Sequence, residues 1–81
     1  MVKEADIEWA WDEARTVRGK DPNLYRKDEL GNELYKPSFG MNGEKSWEID
    51  HRRPVSKGGS DHRRNLRILQ TKANQEKGDD Y

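Results

Sequence analysis

The chain has no cysteine, which excludes disulfides and any structural zinc held by thiolates. Redox compartment is left unconstrained, and a reducing cytoplasm is compatible. Histidine is nearly as scarce. The only two, His51 and His62, are too few for a histidine-rich zinc or nickel site, so hard oxygen donors would have to hold any resident cation. Apolar residues make up 30% of the 81 residues against 40% charged, enough for one domain with a thin core. A bound cation or nucleic acid would stabilise such a domain by mass action. No apolar run long enough to span a bilayer and no signal-like start is present. The expectation is therefore a soluble, cytoplasmic protein without a membrane partner.

Net charge is absent too: 16 Lys and Arg balance 16 Asp and Glu. The balance is not uniform. Residues 1–46 hold eight basic and ten acidic side chains, and residues 47–81 hold eight and six, leaving −2 and +2. In the second half Arg52, Arg53, Lys57, Arg63, Arg64, Arg67, Lys72 and Lys77 are candidate phosphate contacts. A patch of that size predicts weak, salt-sensitive binding with little base selectivity.

Ile7, Ala10, Trp11, Ala14 and Val17 recur at helical spacing, with Asp6 as the expected N-cap and Gly19 as the stop. Trp9 falls off that stripe and is expected to pack under the following loop, with stacking on a nucleic-acid base as the alternative. Asp21-Pro22-Asn23 breaks the helix, and Leu24 to Lys36 reads as a hairpin turning at Leu30-Gly31-Asn32. Pro37 to Lys45 reads as loop. A strand is predicted over Trp47–His51, a connection through Pro54 and Gly58-Gly59, and a second strand from Asn65 to Leu69. A short helix follows, capped at Thr71 and closed by Gly78. Trp47, Ile49, Val55, Leu66, Ile68 and Leu69 are the residues expected to pack on the first helix.

The chemistry-bearing residues crowd into this second half. Phosphodiester hydrolysis needs a base to take a proton from water and a cation to neutralise charge on the phosphate and leaving oxygen. Asp50 and His51 are adjacent on an extended stretch, so their side chains point different ways and divide the two tasks. Asp50 suits a metal and His51 a proton. Asn74, in the first turn of the short helix, is the candidate second oxygen ligand, and two such ligands with water suit magnesium or manganese. His62, flanked by Asp61 and Arg63, reads as a solvated loop residue.

With Asp50-His51, Gly58-Gly59-Ser60-Asp61, Asn65-Leu66 and Asn74 to Asp79 in place, the segment resembles the HNH nuclease motif. This is the ββα-metal finger of colicin DNases, homing endonucleases and one nuclease domain of RNA-guided CRISPR enzymes. The signature positions correspond to His51, Asn65 and Asn74, with the last two 14 and 23 positions beyond the first. The resemblance implies that His51 is the general base, its other ring nitrogen held by a backbone carbonyl. It also implies that Asp50 and Asn74 bind one divalent ion, that Asn65 bridges the loop to fix the His51 backbone, and that cleavage leaves 5′-phosphate and 3′-hydroxyl ends. Upstream, Asp21 to Trp47 is similar to small single-domain bacterial and phage HNH proteins, which look like nicking or packaging-associated nucleases.

The reading is a single α+β domain over residues 1–81: a ββα-metal finger over 47–79 supported by a helix and hairpin over 1–46. Its expected activity is Mg2+- or Mn2+-dependent hydrolysis of DNA, without structural zinc. One finger cuts one strand, so nicking fits a monomer and double-strand cutting a dimer or larger assembly. The competing readings are a nucleic-acid-binding adaptor that keeps the finger without the chemistry, and a toxin domain paired with an inhibitor. The adaptor would be marked by loss of Asp50, His51 or Asn74, all of which are present.

Overall fold

A computed structural model describes residues 3–77, Lys77 by its backbone alone. It shows an α+β arrangement of two small antiparallel sheets between two helices. Helix α1 runs Glu4–Glu13 and buries Ala10 and Trp11. Glu4 and Asp6 place negative charge in its first turn, where the helix dipole favours it. Asp6 is the third helical residue rather than the N-cap: its Oδ2 accepts the N–H of Lys3, the residue that occupies the cap, at 3.2 Å. The helix also stops short of Gly19. Ala14 turns extended (φ −71°, ψ 154°) because the next two residues, Arg15–Thr16, pair as strand β1. Tertiary pairing overrides the helical spacing at this point.

Strand β2 (Tyr25–Lys27) lies between β1 and β3 (Glu33–Tyr35), in register Tyr25 to Tyr35 and Lys27 to Glu33. The expected hairpin is present, and its turn is organised by Asp28, which is wholly buried. The Asp28 carboxylate accepts the backbone N–H of Leu30 (3.0 Å) and Asn32 (2.8 Å) and the Asn32 side-chain amide (3.2 Å). It also accepts the N–H of Gln70 from 42 residues away, at 3.0 Å. Gly31 takes the positive φ (+87°) that this turn requires.

Strands β4 (Trp47–His51) and β5 (Leu66–Gln70) form the second sheet, with Ile49 opposite Ile68 and Asp50 opposite Arg67. Helix α2 (Thr71–Lys77) follows directly. Strand alternation puts Trp47, Ile49 and His51 on one face and Glu48 and Asp50 on the other. The first face meets α1: Trp11, Leu34, Trp47 and Ile68 form the buried cluster, with Ile7, Ala14 and Ile49 packed against it. The Trp11 and Trp47 rings lie 5.1 Å apart, and their indole N–H groups donate to Pro22 O (3.0 Å) and Tyr35 O (2.9 Å).

Leu34 is a core residue that the sequence pattern did not single out. Val55, expected in the core, is 61% exposed because it sits in a 3-10 turn, Val55–Lys57, that leaves the sheet. Leu66 and Leu69 are buried as expected, although Leu69 lies opposite Glu48, on the face away from Trp47. Asn65 ends a 3-10 turn instead of opening the strand. The stretch read as loop after Pro37 carries a 3-10 turn, Lys36–Ser38, and a bridge from Phe39 to Trp47. Thr71 is the first residue of α2 and buried; its Oγ1 makes no hydrogen bond to a described residue, while its N–H donates to Ser46 O at 2.8 Å. Gly78, the expected stop, lies outside the described residues. No helix among the described residues is long and apolar enough to cross a membrane.

Removing the Asp28 acceptor leaves several part-buried N–H groups without it, each costing up to about 1–3 kcal/mol. Asp28→Ala is therefore expected to destabilise the fold by about 3 kcal/mol, lowering the melting temperature by roughly 15 °C. An unchanged thermal melt would show that the turn holds without it. Acid should also loosen the fold. Arg63 holds Asp6 below the ordinary carboxylate value by hydrogen bonding, Arg52 does the same to Glu29, and Lys20 and Lys45 to Glu33. Because the folded values are depressed, their contribution is complete above the ordinary carboxylate value and is lost as pH falls below it. Melting curves between neutral pH and pH 3 should drop in the acid range alone.

Candidate active site

His51 ends β4, opposite Leu66, with its side chain 24% exposed. The strand carries the ring to the edge of the sheet, where its Nε2 meets Asp61 Oδ1 at 2.7 Å. The resemblance implied a backbone carbonyl as the ring's partner; the contact here is a carboxylate from the connecting loop. A carboxylate requires Nε2 to carry the proton, so in the neutral ring Nδ1 is the acceptor.

The loop that delivers Asp61 is shaped by one amide. Asn65 Oδ1 accepts the N–H of Arg53 (2.9 Å), while its Nδ2 donates to Arg53 O (3.1 Å) and Ser60 O (2.7 Å). Its backbone oxygen also accepts the Arg52 N–H at 2.7 Å. Asn65 thus clamps the two residues that follow His51. Gly59 makes the closure feasible, since a Cβ there would lie 1.8 Å from Arg53 O. Gly58 supplies the left-handed turn before it (φ +87°).

Asp50 projects to the opposite face, is 8% exposed, and accepts a hydrogen bond from its cross-strand neighbour Arg67 at 2.8 Å. Arg67 also lies 3.5 Å from Glu29, whose carboxylate is hydrogen-bonded by Arg52. From α2, Asn74 donates its Nδ2 to Glu48 Oε1. Glu48 precedes Asp50 by two residues and shares its face, so strand alternation was the signal that could have placed it beside the site. Asp61 and Glu29 carried no comparable signal, because loop closure brings them in.

The candidate ligands Asp50 and Asn74, with Glu48 beside Asn74, offer oxygen donors alone. That donor type is the one magnesium takes, although here Asp50 is engaged by Arg67 and Asn74 by Glu48. Among the described residues no three His, Asp or Glu side chains gather into a cage.

The basic candidates separate into groups. Arg52 and Arg67 share Glu29. Arg63 pairs with Asp6 (3.0 Å) and lies over the half-buried Trp9 ring at 5.3 Å. Arg53 Nε donates to Lys57 O, and Lys57 and Arg64 are exposed. Lys72 lines a separate surface depression with Gly31 and Gln70. The Lys77 side chain lies outside the described residues. His62 is exposed, its Nδ1 accepting the Arg64 N–H at 3.5 Å.

Residues 39–81, just over half of the chain, match the family model described as HNH endonuclease. No curated protein and no solved structure gives a significant match.

Replacing Asn65 by Ala removes three partly exposed hydrogen bonds, on the order of 2 kcal/mol together. The expected result is a melting temperature roughly 10 °C lower and faster proteolysis between Arg53 and Asn65. A variant that melts like the parent, with that loop equally protected, would show that the amide does not set the loop.

Proposed function

This chain belongs to the HNH endonuclease family, and from that premise we propose that it hydrolyses DNA phosphodiester bonds with His51 as general base. HNH nucleases act on DNA and generally use a divalent metal. The observation that carries the proposal is the setting of His51: a strand-end imidazole with Asp61 on Nε2 and its following backbone clamped by Asn65.

In this reading Asp61 fixes the ring so that Nδ1 takes the proton from the attacking water. Oxygen attacks phosphorus as the bond to the 3′ oxygen breaks, leaving 3′-hydroxyl and 5′-phosphate ends. Asn65 holds the ring's backbone so that the Nδ1 lone pair keeps its aim. Asp50 and Asn74 are the proposed ligands of a magnesium or manganese ion, which would neutralise charge on the phosphate and leaving oxygen. Arg52 and Arg67 add fixed positive charge beside the same strands.

Supercoiled plasmid should be nicked in magnesium or manganese and left intact in chelator. His51→Ala should lower the nicking rate by about a hundredfold or more, the usual contribution of a positioned base. Asp50→Ala should weaken metal binding by calorimetry. Equal nicking by wild type and His51→Ala would remove the base from the mechanism.

A further inference from the structure

The residues before 39 lie outside the family match, yet they form one wall of a cavity of about 310 Å³ against the finger. Trp9, Arg15 and Lys27 come from that wall, and Arg52, Arg64 and Arg67 from the finger. With Arg63, six cations line the cavity against the two carboxylates of Glu13 and Glu29. Acidic neighbours answer Arg52, Arg63 and Arg67, so the charge open to an outside anion is that of the other three.

Three of these cations, Arg15, Lys27 and Arg64, form no salt bridge with a described residue. Elsewhere in the cavity an anion is already seated. The Glu29 carboxylate reaches both Arg52 and Arg67, which marks a fork with the spacing of two acidic oxygens. The Arg63 guanidinium lies over the Trp9 ring, 5.3 Å from its centroid, and both line the cavity, pairing a cation with an aromatic of the kind nucleic acids contact. The cavity adjoins the catalytic strands, because Arg52 follows His51 and Arg67 pairs across from Asp50.

We infer that this cleft is a DNA subsite, built jointly by the N-terminal half and the finger, that takes a backbone phosphate flanking the scissile one. Glu29 holds the Arg52–Arg67 fork until that phosphate displaces it. The inference rests on the nuclease reading of the His51 site. Its consequence is that the N-terminal half contributes phosphate contacts as well as a packing face for β4 and β5.

The test is fluorescence anisotropy with a labelled DNA duplex in chelator, where no cutting occurs, over a series of salt concentrations. Each phosphate contact adds about 0.9 to the slope of log Kd against log salt. Arg15→Ala with Lys27→Ala should therefore flatten the slope by roughly 1 to 2. Lys20→Ala with Lys45→Ala, the same charge change outside the cleft, should leave it unaltered. Glu29→Gln, which keeps size and removes the competing charge, should tighten Kd several-fold at low salt. An unaltered slope in the first pair, an equal flattening in the second, or weaker binding by Glu29→Gln in a folded protein would overturn the cleft assignment. Plasmid nicking separates this from the underlying reading. His51-dependent nicking with an unaltered slope in the first pair rejects the cleft alone, while binding with the expected slopes and no nicking rejects the chemistry and keeps the cleft. Absence of any DNA binding by the wild type overturns both.

Discussion

One buried carboxylate decides how the two halves of this chain meet. Asp28 closes the turn between β2 and β3 and, with the same group, captures the N–H of Gln70 at the end of β5. Two consequences follow from its position. The next residue in the turn is Glu29, so fixing Asp28 delivers the Glu29 carboxylate to Arg52 and Arg67. On the other side, Gln70 leads directly into α2, so the same bond sets where the helix carrying Asn74 begins. A polar contact can hold this role because it is fully enclosed, where an unmade hydrogen bond is expensive. The apolar cluster of Trp11, Leu34, Trp47 and Ile68 also joins the two halves, but it is small, as a chain of this length dictates.

The exposed ion pairs work differently. Pairs such as Lys36–Glu8 and Arg63–Asp6 are solvent-accessible, and pairs of that kind contribute little energy individually. Their effect is geometric. Asp6, in the first turn of α1, reaches the turn before β5 through Arg63 and so aims the guanidinium at Trp9. The acidic excess of the N-terminal half therefore serves to orient arginines of the finger, which a count of net charge conceals.

How much of this was legible in the sequence depends on the range of the cause. The order of strands and helices in the second half followed from local pattern: apolar alternation over Trp47–His51, the Gly58-Gly59 pair, and the short helix after Gln70. Asn65 was singled out through the family resemblance, and its amide bonds Arg53 and Ser60 across the loop. The end of α1 was not legible, since Ala14 and Val17 continue the helical stripe and only pairing with β2 pulls Arg15–Thr16 into a strand. Leu34 sits in a three-residue strand, too short to show alternation. Glu29 and Asp61 meet their partners across 23 and 10 residues, and no periodicity encodes such closures. Glu48 is the exception: alternation alone places it on the face of Asp50, although it is no signature position of the motif.

Arg67 ties the enclosed Asp50 carboxylate to the rest of the charge network. Asp50 is 8% exposed, and the guanidinium directly across the strands donates to it at 2.8 Å. Arg67 in turn has a second acidic neighbour in Glu29, so its own charge is not tied to Asp50 alone. Two acids and two arginines, Glu29, Asp50, Arg52 and Arg67, thus form a neutral set in which each charge has an opposite neighbour. Such a set orients the Asp50 carboxylate within a thin core, and it does so with side chains drawn from both halves of the molecule. For that reason the finger's site and the N-terminal support are best regarded as one electrostatic unit, although the family match begins at residue 39.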